Sequence, residues 1–334
     1  MFVKICYWTP NSIGGAGKYE HYLPYLVSKL NENVEIKVVR RPKGIRGNPI
    51  FLRYYYKTYD CDLVHATTQT LCIYSFPKPK KFIVTVHDIY TLHKSIKSRI
   101  KKSLIKKSLN RADRIIAVSK FTKHEIMEYI GIKGEKITVI PMGVDLSLYK
   151  PIDKYYSRKK LGLDYDKKYI LIVSSNAPHK RMDIAIKVFL EVRKYMGNNV
   201  KLIKCGYGHK LEGDGIINVG FVPEYKMPFL YNAADILLHT SEYEGFGVPL
   251  LEAMSCGLHI VTSNKAAIPE VVGDCAHLID IESDNCIQEF VNAILKVFET
   301  KKKNYKGIER SKIFSWENCA KKTYAIYEEL LSNG

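Results

Sequence analysis

The sequence predicts an α/β fold of two doubly wound parallel-sheet domains, and three observations support this prediction. The chain has 334 residues, which is enough for two domains that each bury a core. Short β-branched runs alternate with amphipathic stretches along its whole length. Turns that contain Gly or Asn separate these segments in both halves. Such alternation is typical of parallel sheets whose faces are covered by helices.

The pattern in the first half predicts six strands, at residues 3–7, 34–39, 63–65, 81–86, 115–118 and 137–140. The helices predicted between them cover residues 18–30, 94–110 and 120–129. The second half predicts strands at residues 169–173, 200–205, 216–219, 235–239, 259–262 and 276–279. Its predicted helices cover residues 182–195, 224–232, 249–256, 285–299 and 316–331.

The predicted boundary between the domains lies after residues 141–145, in the polar segment 150–165. We therefore expect a first domain at 1–150, a second at 151–315 and a C-terminal helix at 316–334 that crosses back to the first. In such sheets, ligands bind beyond the carboxyl ends of the strands, so chemistry should reside in the segments that follow them.

Composition is that of a globular protein, with 46% hydrophobic and 26% charged residues. We expect no signal peptide, because the N-terminus lacks a basic region followed by an apolar core, and no membrane-spanning helix, because no apolar run approaches 18 residues. The cysteines have no CxxC spacing, so reduced core thiols in a cytoplasmic protein are favoured over disulfides or a zinc site. They lie at positions 6, 61, 72, 205, 256, 275, 286 and 319.

Positive charge is concentrated in the first half of the chain. Residues 1–150 contain 27 Lys and Arg against 11 Asp and Glu, whereas the remainder contains 25 against 23. This asymmetry indicates an acidic partner for the first domain, such as a membrane surface, unless it only reflects a lysine-rich composition. Within residues 93–107, Ile96, Ile100 and Leu104 share one helical face amid lysines. A helix of this kind either lies peripherally on anionic lipid or is an ordinary helix with a solvated face.

The segment EGFGVPLLE places two carboxylates, Glu244 and Glu252, around a predicted helix start. Pro249 suits the first turn of a helix, and Gly257 is a stop signal. The N–H groups of Val248 and Leu250 should then open towards solvent as an anion site. An anion site between two carboxylates suits a diphosphate flanked by hydroxyl-rich groups, which describes a nucleotide-sugar.

Several motifs together resemble glycosyltransferase family 4, the retaining enzymes of the GT-B fold, whose two Rossmann-like domains face a cleft. The resemblance covers nearly the whole chain. Its signature is the pair of glutamates, Glu244 and Glu252, that are separated by seven residues in EGFGVPLLEAMSCG. The supporting motifs, in chain order, are GGAGKYE, VHDIY, AVSKFTKHEI, IPMGVD, SNKAAIPEVVGD and FSWENCAKKTYAIYEEL.

The resemblance implies specific roles in donor binding. Glu252 would hold the ribose hydroxyls and Glu244 would contact the transferred sugar, because a carboxylate accepts hydrogen bonds from a diol. Lys180, in APHKR, would stabilise the leaving diphosphate. Relatives often have an arginine six residues earlier, where this chain has Ser174, and Arg181 is a candidate substitute. Phe246, Gly247 and Val248 complete the predicted donor-binding segment.

In the first domain, the resemblance assigns His87 and Asp88 to the donor sugar or acceptor. Gly14 and Gly15 would form a turn that lets the backbone approach the donor phosphates. We expect Glu20 to face solvent. Asp60-Cys-Asp62 imitates a DxD metal motif, but we interpret it as structural and expect no metal or other cofactor.

The resemblance predicts transfer of a hexose to a glycan or lipid-linked acceptor, with GDP-mannose as the first candidate donor and UDP-glucose as the second. A DNA-modifying glucosyltransferase would also be basic, but no DNA-reading motif is recognisable and nucleic acid is not an expected partner. A nucleotide-sugar epimerase would lack the two-glutamate signature. A non-catalytic carbohydrate- or nucleotide-binding relative would need a broken site, and only Ser174 departs from the pattern.

Overall fold

A computed structural model describes residues 3–10, 12, 14–40, 58, 60–75, 78–90, 92, 99–300 and 302–332. The chain divides into two units. Unit 1 comprises Met1–Gly143 and Trp316–Gly334, and unit 2 comprises Val144–Ser315. The C-terminal helix thus belongs to the first unit, as predicted from the sequence.

Unit 1 contains a six-stranded parallel sheet in the order β2-β1-β3-β4-β5-β6. The strands are β1 Val3–Thr9, β2 Val34–Arg40, β3 Leu63–Ala66, β4 Lys81–Val86, β5 Arg114–Ala117 and β6 Ile137–Val139. The helices are α1 Gly14–Ser28, α2 Arg99–Arg111, α3 Lys120–Glu125 and α11 Trp316–Ser332, with 3₁₀ turns Gln69–Tyr74 and Gly134–Lys136 and a π-helical turn Ile126–Ile130. Residues 93–98 of the predicted basic helix, including Ile96, lie outside the described residues.

Unit 2 contains a second six-stranded parallel sheet, in the order β12-β11-β10-β7-β8-β9. Its strands are β7 Lys168–Val173, β8 Val200–Cys205, β9 Ile216–Gly220, β10 Ile236–His239, β11 His259–Ser263 and β12 His277–Ile279. The helices are α4 Lys154–Leu161, α5 Met182–Met196, α6 Met227–Ala233, α7 Val248–Ser255, α8 Ile268–Val272, α9 Cys286–Glu299 and α10 Tyr305–Ser311. The 3₁₀ turns are Pro178–Lys180, Gly197–Asn199 and Glu224–Lys226.

Each unit has its own apolar core. In unit 1 it is centred on Trp8, Phe82 and Ile115, and in unit 2 on Phe189, Leu202 and Phe290, all fully buried. The inner strands, such as β3, β4 and β10, are buried on both faces and largely apolar, which is the expected composition of a buried parallel sheet.

The polar segment 150–165 contains a helix that the sequence analysis did not predict. Asp153 caps α4 by accepting a hydrogen bond from Tyr156 N at 2.7 Å, and Gly162 ends it in a left-handed conformation. The segment lacks an apolar stripe because only Ser157 and Arg158 of the helix are buried. Arg158 forms an ion pair with Asp235 at 2.8 Å. The buried face of α4 therefore depends on an ion pair, and a pattern of apolar residues could not predict this helix.

The expectation that all eight cysteines are reduced is wrong for one pair. Cys6 in β1 and Cys61, just before β3, form a disulfide in the structure. The two strands are adjacent in the sheet, which brings residues 55 positions apart together. The other six cysteines are free and buried.

Candidate donor site

Polar side chains gather at the carboxyl edge of the unit 2 sheet, where β7 and β10 end side by side. The segment after β7 includes Lys180, and the segment after β10 includes Ser241 and Glu244. Because these strands are neighbours and parallel, the segments that follow them emerge at the same edge. Residues 64 positions apart in the sequence therefore meet.

The carboxylate of Glu244 is the centre of this cluster. Lys180 Nζ donates to its Oε1 at 2.7 Å, and Ser241 Oγ donates to the same atom at 3.0 Å. His239 Nε2 lies 3.0 Å from Oε1. The other oxygen, Oε2, accepts no hydrogen bond from any residue in the described part of the chain. The Glu244 side chain is 14% exposed, so Oε2 is available to a ligand hydroxyl.

Electrostatics keep this carboxylate ionised. Burial acts to raise the pKa of Glu244, but the charge of Lys180 and the contact with His239 outweigh it and hold the pKa well below its ordinary value. Glu244 is consequently an anion at neutral pH, and Lys180 is oriented by it. A fixed anion and a fixed cation side by side can bind the electropositive and electronegative ends of a polar ligand.

The turn that carries Lys180 is tied to the segment after β10. Thr240 Oγ1 lies 3.1 Å from Lys180 O and 3.0 Å from Arg181 O, and Glu242 N donates to His179 O at 2.9 Å. Arg181 itself is left-handed, with φ 49°, a conformation that is uncommon outside glycine. Such strain persists only where the surroundings determine it, so this turn is a position of functional interest.

The guanidinium of Arg181, the candidate substitute for the missing arginine, is engaged within the protein. Its Nε and Nη2 each donate to Asp183 at 3.1 Å, and Nη1 lies 3.6 Å from Glu242. These carboxylates raise the pKa of Arg181, chiefly through the hydrogen bond to Asp183. Its predicted role in donor binding therefore requires those pairs to open.

Glu252 projects from the buried side of α7 and is 4% exposed. Tyr231 OH donates to its Oε2 at 2.7 Å, and burial raises the pKa of Tyr231 well above its ordinary value, which keeps this phenol a donor. A buried carboxylate is costly unless it is hydrogen-bonded, so Tyr231 supports Glu252 directly. Tyr231 lies 21 positions before Glu252 and was not among the site residues predicted from the sequence.

The start of α7 differs from its predicted form. The helix begins at Val248, and Leu250 N donates to Gly247 O at 3.0 Å. The prediction that this N–H opens towards solvent is therefore wrong. Gly247 has φ 100°, and a Cβ there would lie 2.9 Å from Leu250 Cδ1, so the tight entry to the helix requires glycine. Phe246, Gly247 and Val248 are all buried.

The glycines predicted to form a turn in unit 1 lie at the entry of a helix, where Gly14 has a left-handed backbone with φ 69°, and their approach to donor phosphates stays a prediction. Gly14 and Gly15 are the first two residues of α1. Glu20, predicted to face solvent, is 9% exposed and accepts a hydrogen bond from Ser12 N at 3.1 Å on Oε2. It closes the segment before the helix by satisfying a backbone donor, which explains why a charged residue is buried there.

His87 and Asp88 follow β4 at the carboxyl edge of the unit 1 sheet. His87 Nε2 lies 2.9 Å from Thr67 O, and its ring meets Tyr19 edge to face at 5.1 Å. Burial lowers the pKa of His87 to about 4, so the ring is neutral at pH 7. Asp88 Oδ1 accepts from Tyr90 N at 3.1 Å. Their assigned roles at a sugar stay predictions.

The DxD-like pair has internal partners. Asp62 Oδ2 accepts from Lys4 N at 3.0 Å, and Asp60 Oδ2 accepts from Lys4 Nζ at 2.8 Å. Asp62 also lies 3.6 Å from Lys80 Nζ. Both carboxylates thus attach the start of β3 to the start of β1, at the opposite edge of the sheet from His87.

Three residues that contact Glu244 or the turn that carries Lys180 were not predicted from the sequence, namely His239, Thr240 and Ser241. Their position directly after β10 was the available signal, because polar residues at a strand's carboxyl end are candidates for a site. His239 is 3% exposed at the end of β10. Its contact with Glu244, which only the structure shows, distinguishes it from an ordinary buried strand residue.

Two family models match the chain. The model described as Glycosyltransferase Family 4 matches residues 14–148, and the model described as Glycosyl transferases group 1 matches residues 153–313. The chain belongs to the glycosyltransferases of family 4, which have the GT-B fold, and it is a glycosyltransferase enzyme.

Curated relatives and solved structures agree with this family assignment. O-antigen chain mannosyltransferase B of Escherichia coli is 28% identical over 271 residues, which are 75% of this chain and 71% of that protein. D-inositol 3-phosphate glycosyltransferase of Segniliparus rotundus is 28% identical over 240 residues, 67% of this chain but only 54% of that protein. Anabaena HepE in complex with UDP-glucose matches 98% of this chain and 99% of its own, with a TM-score of 0.77 and 21% identity, and so shares the fold.

Across the described part of the chain, no helix combines the length and apolar character needed to cross a bilayer.

Proposed function

We propose that this enzyme transfers a hexose from a nucleoside diphosphate sugar to a hydroxyl of a glycan or lipid-linked acceptor, with retention of the anomeric configuration. The observation that carries the proposal is the cluster around Glu244, in which three neighbours hold one carboxylate oxygen and leave the other available. Such a carboxylate can accept hydrogen bonds from sugar hydroxyls while Lys180 faces the diphosphate.

Each residue of the site then has a part in the reaction. Glu252, fixed by Tyr231, takes the ribose hydroxyls, and Glu244 takes a hydroxyl of the transferred sugar. The bond from the anomeric carbon to the diphosphate oxygen breaks, and the acceptor oxygen bonds to that carbon from the same face. The acceptor's proton passes to the leaving diphosphate. Lys180 stabilises the negative charge that grows on the diphosphate, which lowers the barrier because the charge is already in place.

Two exposed aromatic rings in unit 2 support a nucleotide ligand. Tyr207 and Phe221 follow β8 and β9, are 50% and 59% exposed, and lie with ring centroids 5.3 Å apart. Both strands belong to the sheet that carries Lys180 and Glu244, and both rings follow the carboxyl ends of their strands. This pair of exposed rings offers a nucleobase a stacking surface.

The donor is proposed to be GDP-mannose, with UDP-glucose as the second candidate. The relative named a mannosyltransferase supports mannose as the sugar of the first candidate, and the HepE complex with UDP-glucose supports the second candidate. No metal is assigned to the reaction, and the internal partners of Asp60 and Asp62 support this part of the proposal. Activity should therefore persist in EDTA, and restoration of a lost activity by manganese would contradict it.

Thermal unfolding in the presence of GDP-mannose, UDP-glucose or UDP-N-acetylglucosamine tests the donor. A donor at about a hundredfold excess over its Kd should stabilise the protein by about 2.7 kcal/mol. Glu252→Gln should remove that shift, whereas Glu317→Gln, a change in the first turn of α11 in unit 1, should keep it. If no nucleotide-sugar raises the melting temperature or is hydrolysed, the proposed function is wrong.

We assign acceptor recognition to the basic unit 1 and propose that α2 lies peripherally on an anionic membrane surface. Ile100 is 74% exposed and Leu104 is 41% exposed on the helix, and Lys106 and Lys107 are exposed beside them. Apolar side chains flanked by lysines suit the boundary of an anionic bilayer. The protein should sediment with phosphatidylserine vesicles at low salt and leave them at high salt. Ile100→Ser/Leu104→Ser should abolish sedimentation.

A further inference from the structure

One lysine lies inside the apolar face of the unit 2 sheet. Lys204 is the fifth residue of β8, pairs in register with Ile172, and is 2% exposed. Leu202, on the same face of the strand, is part of the apolar core. Lysine is rarely buried to this extent unless an acidic group pairs with it.

Lys204 lacks such a pair in the described part of the chain. Its Nζ donates to the backbone carbonyl of Ser174 at 2.8 Å, and no described Asp or Glu lies within ion-pair distance of it. Burial lowers the pKa of Lys204, with Cys205 as the only other contributing group. Burying an ammonium without a carboxylate partner costs free energy because the charge loses its hydration, so a gain in stability does not explain this lysine.

The atom that Lys204 binds lies at the root of the segment that carries Lys180. Ser174 follows β7, and its N–H donates to Cys205 O at 3.0 Å. Gly206 has φ 117°, and a Cβ there would lie 2.3 Å from Ser174 O, so only glycine permits this approach. Lys204, Cys205 and Gly206 thus hold Ser174 from one side.

The rest of the segment is held as well. Asn176 Nδ2 donates to His209 O at 3.0 Å, and the Thr240 hydroxyl contacts the carbonyls of Lys180 and Arg181. The end of the segment is Lys180, which pairs with Glu244 at 2.7 Å. Among the residues that the structure describes, Lys204 is the charged side chain that binds Ser174.

We propose that Lys204 is a positioning residue for Lys180: by holding the Ser174 carbonyl, its ammonium fixes the 174–180 segment so that Lys180 meets the diphosphate of the donor. The proposal rests on the proposed function. A small displacement of a charged group lowers the rate of a preorganised site. This positioning role explains why a buried cation occupies a strand position that an apolar residue could also fill.

The test compares Lys204→Met with Lys201→Met, a half-buried lysine on the same strand that lies farther from its carboxyl end. Hydrolysis or transfer is followed with whichever of GDP-mannose and UDP-glucose the unaltered protein turns over. Lys204→Met should keep or raise the melting temperature while kcat falls about 10- to 100-fold and KM changes little. Lys201→Met should leave both constants unchanged.

A double-mutant cycle with Lys180→Ala separates positioning from an independent effect. If Lys204 acts through Lys180, adding Lys204→Met to Lys180→Ala should lower kcat by no more than about twofold. Fully additive losses, or an unchanged kcat in Lys204→Met alone, would overturn the proposal. If Lys204→Met does not fold, Lys204→Gln takes its place in the same cycle.

The failure of this inference differs from the failure of the proposed function. An unaltered protein that neither binds nor turns over any nucleotide-sugar refutes the function. An active protein whose Lys180→Ala variant is impaired but whose Lys204→Met variant is not refutes only the role of Lys204.

Discussion

The two units organise their buried polar groups in different ways. In unit 1, hydrogen-bonded neutral groups form a chain through the core. His65 Nδ1 lies 2.5 Å from Tyr327 OH and its Nε2 lies 2.7 Å from Thr85 Oγ1. Tyr7 OH and Tyr19 OH extend the chain by contacts of 2.8 Å to Tyr327 and Thr85. Burial keeps these phenols protonated by raising their pKa, and it lowers the pKa of His65 to about 3.

In unit 2, the polar groups of the candidate donor site are ions, and they lie at the carboxyl edge of the sheet. Lys180 and Glu244 form a partly exposed pair, with side chains 17% and 14% exposed. A neutral, fully satisfied network specifies how a core packs, and in unit 1 it attaches the C-terminal helix to the sheet. A charged pair that is open to solvent on one side can exchange contacts with a charged ligand. This contrast supports the proposal that unit 2 holds the donor.

The largest effect that this contrast predicts is on catalysis. Lys180→Ala should lower kcat/KM by about 100- to 1000-fold, on the order of 3–4 kcal/mol, because the leaving diphosphate loses its fixed cation. Steady-state kinetics with the identified donor measures it. His179→Ala, one residue away, is the matched control, and equal losses in both variants would show that the turn rather than the charge matters.

The unit 1 network should appear in the pH dependence of stability. The folded pKa of His65 is about 3 and lies below its unfolded value of 6.5, so the unfolded state binds a proton first as pH falls. Stability is unaffected above pH 6.5 and is lost as pH falls towards 3, by about 2 kcal/mol at pH 5. Thermal melts of unaltered protein and His65→Gln at pH 8 and pH 5 should show a smaller loss in the variant.

The Tyr231–Glu252 contact should have an intermediate effect. Tyr231→Phe leaves the buried carboxylate without its phenol donor, which should lower stability by about 1.5 kcal/mol and weaken donor binding about tenfold. Calorimetric titration with the donor measures the affinity. Tyr149→Phe alters a ring that packs on Tyr231 edge to face at 6.0 Å, and it should leave donor affinity unchanged.

The smallest effect is expected at Arg181, because Asp183 and Glu242 already engage its guanidinium. Arg181→Ala should lower kcat/KM by less than about threefold, within the range of a surface ion pair. A loss as large as that of Lys180→Ala would instead show that Arg181 leaves its partners for the diphosphate and replaces the arginine absent at Ser174.

Local sequence patterns located the strands well, and β4 and β8 have the bounds expected for them. Apolar runs bounded by turn residues are a local signal, so such strands can be found without tertiary information. The helix α4 was missed because its buried face is an arginine paired with Asp235 rather than an apolar stripe. Glu20 was predicted to face solvent because its partner is a backbone N–H eight residues earlier. The pattern of apolar residues cannot indicate a hydrogen bond of this kind.

The glutamate pair and Lys180 were found from the sequence because they recur in a family motif, and the family models confirm that membership. Their supporting residues were not found. His239, Tyr231 and Lys204 are single residues in apolar segments, where local pattern predicts core.

The sequence by itself determined the fold class, the order of the strands along the chain, and the family. These depend on the local alternation of apolar and polar residues and on short motifs. Only the tertiary structure decided that β10 lies beside β7 and that Tyr231 meets Glu252. Strand order decides which polar atoms share an edge of a sheet, and burial decides which of them keep a charge. Both depend on residues dozens of positions apart, which no local pattern encodes.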